Sequence, residues 1–160
     1  MANVFILLGG KVGDKSKIFA KTRNLIEERI GIIAKMSSGY ATEAWGFESD
    51  IFLNQVIILE SELEPSEILK RTQLIENELG RSRNSTGYEA RTIDIDLLFY
   101  DNQIINTPEL TIPHPKIGER RFVLIPLNEL VPDKCHPVTG IKIADMLKLC
   151  QDTLKVERID

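Results

Sequence analysis

Cysteine and histidine are scarce in this 160-residue chain, at two each. Cys135 and Cys150 form no CxxC pair and His114 and His136 belong to no HExxH motif, so neither a disulfide framework nor zinc chemistry organises the protein. A reduced compartment is expected. Long hydrophobic runs are missing as well. The amino-terminal run Val4 to Leu8 is too short for a signal-peptide core or a membrane span, and no basic residue precedes it. The expectation is a cytoplasmic protein with no membrane partner. Positive charge is not in excess: 20 Lys and Arg against 24 Asp and Glu leave a net charge of −4. A broad basic face for nucleic acid is therefore excluded, and any anion site has to be local. Repeats and low-complexity tracts are absent, and Gly9 to Asp14 lacks the residue order of a Walker-type phosphate loop.

What is present is a globular balance, 42% apolar and 28% charged residues, in a length that suits one domain over residues 1–160. Val4 to Leu8 reads as a buried strand ending in a turn at Gly9-Gly10. Ser16 to Ile30 carries Ile18, Phe19, Leu25, Ile26 and Ile30 near helical spacing, with Gly31 as a stop. A second strand is expected from Ile32 to about Thr42 and a third from Phe52 to Glu60. Pro65 opens a helix that Gly80 closes, and Thr92 to Tyr100 alternates as a fourth strand. The order βαββαβ predicts an α+β ferredoxin-like plan, an antiparallel sheet with both helices on one face. Helical additions follow, near Leu124 to Leu130 and Ile143 to Cys150.

The strongest chemical signal is Arg91-Thr92-Ile93-Asp94-Ile95-Asp96. Carboxylates at i and i+2 of a strand share a face at roughly 6 to 7 Å, which suits magnesium completed by phosphate oxygens. Solvated strand aspartates are the bland alternative; here Ile93, Ile95 and Leu97 anchor the opposite face in a core. Arg71, Arg81, Arg83 and Arg91 form a basic cluster, most of it flanking the loop before the aspartates, and guanidinium forks match phosphoryl oxygens. Arg120 and Arg121 add two more. Phe52 and Phe122 could stack on a flat heterocycle whose edge Asn54, two residues from Phe52 and on the same strand face, could read; core packing is the default for both rings. His114, alone between two prolines, reads as structural rather than as a base.

Four segments together carry a resemblance: Gly80-Arg81-Ser82-Arg83, Ala90 to Leu98, Ile112-Pro113-His114-Pro115 and Arg121 to Leu127. In order and spacing the chain resembles the 6-hydroxymethyl-7,8-dihydropterin pyrophosphokinase family over nearly its whole length. The resemblance implies transfer of the diphosphate of ATP to a pterin alcohol, with AMP released, in folate biosynthesis. It implies that Asp94 and Asp96 hold two magnesium ions, Asp96 nearest the attacking oxygen. Phe52 and Phe122 would sandwich the pterin, Asn54 would bond its edge, and the backbone at Thr42, Glu43, Ala44 and Trp45 would complete that pocket. Leu69, Gln73, Glu76, Leu97, Thr111, His114 and Arg120 would line the ATP site. Arg81 and Arg91 would act on the phosphates during transfer, with Arg83 and Tyr88 on the loop that closes over them. Three departures stand out. Gly9-Gly10-Lys11 replaces Gly-Ser-Asn, Tyr88-Glu89-Ala90 replaces Trp-Gly-Pro, and Glu109 stands where relatives can carry a basic residue, which leaves it outside the expected ATP set.

A ligand-sensing or RNA-binding module on the same frame is the alternative reading. An RNA reader needs aromatic strands and a basic sheet, whereas this chain places two aspartates there. An acyl-phosphate hydrolase or nucleotidyl cyclase would differ in its product. The expected partners are small molecules, a pterin alcohol and ATP, and the expected state is a monomer.

Overall fold

The computed structural model describes residues 1–10, 15–43, 51–80 and 93–159, the side chains of 15, 16 and 43 excepted. Strand β1 (Ala2–Gly10) leads to helix α1 (Lys15–Arg29), then to β2 (Ile32–Met36), β3 (Tyr40–Glu43) and β4 (Ile51–Ser61). Helix α2 (Pro65–Gly80) and strand β5 (Ile93–Tyr100) complete the βαββαβ unit. A small hairpin of β6 (Ile105–Asn106) and β7 (Thr111–Ile112), helices α3 (Arg121–Leu130) and α4 (Ile143–Leu149), and strand β8 (Val156–Arg158) follow. The main sheet runs β5-β1-β4-β3-β8, with β2 also paired to β4, and every pairing is antiparallel. The expected α+β ferredoxin-like plan is what the chain adopts.

Alternation along the central strands divides the molecule into layers. Val4, Ile6 and Leu8 of β1, with Ile57 and Leu59 of β4 and Ile93, Ile95 and Leu97 of β5, pack on Phe19 and Ile26 of α1 and Ile68 and Ile75 of α2. Phe5, Leu7, Val56, Ile58 and Leu98 face the other way, onto Val123, Leu124 and Leu127 of α3 and Ile143 and Met146 of α4. Each face thus excludes water over apolar side chains, the main favourable term in folding.

Three expectations needed correction. Gly9 and Gly10 do not form a turn: β1 continues through both, with Gly10 opposite Leu53 on one side and Ile93 on the other. The single strand expected from Ile32 to Thr42 is two. Ser37 separates them, its Oγ accepting from the Val56 N–H at 3.0 Å while its carbonyl accepts from Gln55 Nε2 at 2.8 Å. These contacts displace a simple ladder, and the register moves by one residue between Met36, opposite Ile57, and Tyr40, opposite Asn54. Thr42 thereby faces Phe52. Helix α3 begins at Arg121 rather than near Leu124, because its first N–H finds a distant acceptor, the Asp152 carboxylate at 3.0 Å.

Periodicity also missed a bulge. The register of β1 with β5 shifts between Phe5 and Ile6, so Leu98 and Phe99 both enter the second core although they are adjacent. Phe99 meets Phe5 edge-to-face at 5.4 Å. The hairpin β6–β7 and strand β8, two or three residues per strand, carried too little pattern to be read from sequence.

Candidate active site

The site grows out of one register position. Gly9 of β1 lies opposite Asn54 of β4 and opposite Asp94 of β5, and Leu7, two residues back, lies opposite Asp96. Period-two alternation then places Asn54, Asp94 and Asp96 on the face that carries α3. A Cβ added at Gly9 would meet Asn54 Oδ1 at 3.6 Å, an ordinary contact, so glycine there keeps the floor open rather than avoiding a clash. Reading Gly9 as a turn hid this role. The available signal was a glycine inside an otherwise apolar strand, which often marks close approach by a ligand.

Above that floor is a cavity of about 220 Å³, lined by Leu7, Gly9, Thr42, Phe52, Asn54, Asp94, Asp96, Arg120, Phe122 and Leu154. Asn54 is buried, and its Nδ2 donates to Thr42 Oγ1 at 3.3 Å, which orients the amide. The expected stacking pair, Phe52 and Phe122, shares this cavity with the two aspartates. The Arg120 guanidinium lies 5.5 Å from the Phe122 ring centroid, and its charge also acts on His114 of the expected nucleotide set.

A second cavity of about 210 Å³ adjoins, lined by Leu69, Ile95, Asp96, Leu97, Glu109, Leu110, Thr111, His114 and Pro115. It gathers Leu69, Leu97, Thr111 and His114, and it adds Glu109, which is outside the expected ATP set. Gln73 lines a larger neighbouring groove of about 740 Å³ that shares Leu69, Glu109 and Leu110 with this cavity. Asp96 lines both smaller cavities and is where they meet.

Glu76 works on the strand itself. Its carboxylate accepts the Ile95 N–H at 2.8 Å, between the two aspartates, and so holds the outer edge of β5 from α2. His114 is tied into the structure by its backbone N–H to Leu98 O at 3.0 Å. Its Nδ1 accepts the Lys116 N–H at 3.1 Å, which leaves Nε2 to carry the proton of the neutral ring. Burial holds the His114 pKa below its ordinary value; Asp96 opposes this, while Arg120 and Lys116 push the same way as burial. The imidazole is therefore an uncharged donor at neutral pH.

Ala44, Trp45, Arg81, Arg83, Tyr88 and Arg91 lie outside the described residues, and Glu43 is described for its backbone alone, as the end of β3 opposite Ile51. Leu7 and Leu154 were not anticipated. Leu7 was indistinguishable from other core leucines, and Leu154 reaches the cavity from the far end of the chain. Among the described residues no group of three or more His, Cys, Asp and Glu gathers as a metal cage; Asp94 and Asp96 both line the first cavity. No described helix is long and apolar enough to cross a membrane.

Fold and site define an α+β domain in which two cavities meet at Asp96, with Asp94 beside it. Residues 5–132 match the model of the 7,8-dihydro-6-hydroxymethylpterin-pyrophosphokinase family, and the chain belongs to that family. It is accordingly a pyrophosphokinase. A Porphyromonas gingivalis protein named 2-amino-4-hydroxy-6-hydroxymethyldihydropteridine pyrophosphokinase is 43% identical over 136 residues, covering 82% of this chain and 92% of the relative. The Aquifex aeolicus protein of the same name is 38% identical over 139 residues, covering 86% of each. Among solved structures, the wild-type Plasmodium falciparum HPPK-DHPS matches with a TM-score of 0.74 at 15% identity, covering 92% of this chain. The chain spans 44% of that longer protein, and the likeness is one of fold.

Proposed function

We propose that the chain transfers the diphosphate of ATP to the hydroxymethyl oxygen of 6-hydroxymethyl-7,8-dihydropterin, releasing AMP. The observation that carries this reading is the position of Asp96 in both cavities, one flanked by two phenylalanines and a buried amide, the other by His114, Thr111 and Leu69. In this reading a flat ring takes the first cavity and the nucleotide takes the second together with the adjoining groove, and the attacking oxygen and the phosphates would then approach each other at Asp96.

Phe52 and Phe122 hold the ring, and Asn54, with one amide hydrogen committed to Thr42, presents its carbonyl and its other hydrogen to the ring edge. Asp94 and Asp96 would hold two magnesium ions together with phosphate oxygens. Those ions, when bound, lower the pKa of the hydroxyl and offset charge on the transferred group. His114 Nε2 is a neutral donor for a phosphate oxygen, and Arg120 brings positive charge to the wall of the first cavity. Arg81 and Arg91 would take the remaining charge during transfer, with Arg83 and Tyr88 beside them. The largest contribution is positioning, since two flat substrates must be aligned before water is excluded. We assign residues 1–160 to this one domain, acting as a cytoplasmic monomer on small molecules and on neither nucleic acid nor membrane.

Glu76 acts through β5 as a positioning residue. Glu76→Ala frees the edge between the two aspartates and is expected to lower kcat about tenfold, the range seen when a group supporting a metal ligand is lost. The Mg²⁺ concentration for half-maximal rate should rise with it. A lowered melting temperature with an unchanged Mg²⁺ requirement would show a role in folding alone.

The reading is tested by incubating the protein with Mg²⁺, ATP and the pterin alcohol and separating the nucleotides. AMP should form with the pterin present and vanish with a chelator. ADP, a cyclic nucleotide or intact ATP would overturn it.

A further inference from the structure

Leu154, in the C-terminal segment, lines the same cavity as Phe52, Asn54 and Phe122, although the family match ends at residue 132. From Gln151 to Glu157 this strap alternates in exposure, with Asp152, Leu154 and Val156 partly buried between exposed neighbours, and it enters β8 at Val156. Both ends are tied to elements that carry pocket residues. At one end Asp152 Oδ2 accepts the Arg121 N–H at 3.0 Å, at the start of α3 between Arg120 and Phe122. A carboxylate is favoured there by the partial positive charge of the helix terminus. At the other end β8 pairs with β3, placing Val156 opposite Thr42.

Leu154 is held between these ties by its own backbone. Its N–H donates to Asp152 Oδ1 at 3.0 Å, and its carbonyl accepts from Arg121 Nη1 at 3.2 Å. With donor and acceptor both committed, the residue cannot slide along the strap, and its side chain lines the cavity with Phe52, Asn54 and Phe122. The same arginine fixes Leu154 and adjoins Phe122, so the two apolar walls are set as one unit.

We propose that Leu154 is a specificity-determining residue, closing the ring pocket and limiting the size of ring substituent it admits. The inference rests on the pterin reading of that cavity. It is tested by equilibrium binding, through pterin fluorescence, of 6-hydroxymethyl-7,8-dihydropterin and a ring-methylated analogue to the full chain and to Leu154→Ala and Leu154→Phe. Leu154→Ala should weaken binding of the parent pterin several-fold and shift selectivity toward the methylated ring by about fourfold, the worth of one buried methyl group. Leu154→Phe should shift it the opposite way. Asp152→Ala, which loosens the strap while leaving the leucine in place, should lower selectivity without reversing it. Folded variants whose selectivity equals that of the natural chain overturn the role of Leu154 and leave the pterin reading intact. A natural chain that binds neither pterin overturns both.

Discussion

Asp96→Ala is expected to lower turnover by about a thousandfold or more, since charge neutralisation at a transferring phosphoryl group is worth several kcal/mol. Pterin affinity should change by less than about threefold, because the groups assigned to the ring are Phe52, Asn54 and Phe122 and uniform binding is not what the carboxylate supplies. Asp96 is half-buried at the meeting of two cavities, opposite Leu7. Truncating it removes a charge from a wet site rather than a plug from the core, and the fold should persist. Asp96→Asn keeps the shape and loses the charge; it should be as inactive as the alanine variant. Steady-state rates beside direct pterin binding decide the matter, and near-normal turnover in either variant would refute the metal-holding role.

Asn54→Leu is expected to act on the other side of the reaction. The buried amide is oriented by Thr42, and leucine of similar volume cannot offer a donor or an acceptor to the ring edge. Ring groups left unpaired in a closed pocket cost a few kcal/mol, which corresponds to a rise in KM for the pterin of about a hundredfold. The KM for ATP should stay within about threefold, since the amide lies in the cavity away from His114 and Thr111, and saturating pterin should restore most of kcat. Equal damage to both substrates would show that Asn54 holds the sheet together instead of reading the ring.

Those two residues were legible in sequence for the same reason: period-two alternation needs no tertiary information. Ile93, Ile95 and Leu97 declare a buried face, so Asp94 and Asp96 must share the other, and Phe52 and Asn54 follow on β4 by the same rule. Helix α2 was bounded by residues with local meaning, Pro65 at its first position and Gly80 at its last. What escaped depends on partners far along the chain. Ser37 divides a strand because Val56 and Gln55 bond to it, and α3 starts early because Asp152 meets Arg121 across 31 positions. Glycine after an apolar run signals a turn as readily as a continuing strand, and at Gly9 the strand continues because both β4 and β5 pair with it. His114 reads as structural from its own surroundings, and the nucleotide role expected of it comes through resemblance; its place beside Asp96 is a tertiary fact. Glu109 was set aside on charge, yet hairpin geometry brings it to the same cavity.

The most direct measurement of the central claim is phosphorus NMR of a completed reaction with Mg²⁺, ATP and the pterin alcohol. The account predicts a single AMP resonance and a pair of mutually coupled resonances from a diphosphate on the pterin, in equal amounts. An ADP spectrum with one uncoupled phosphate on the pterin would place attack at the γ-phosphorus and contradict it.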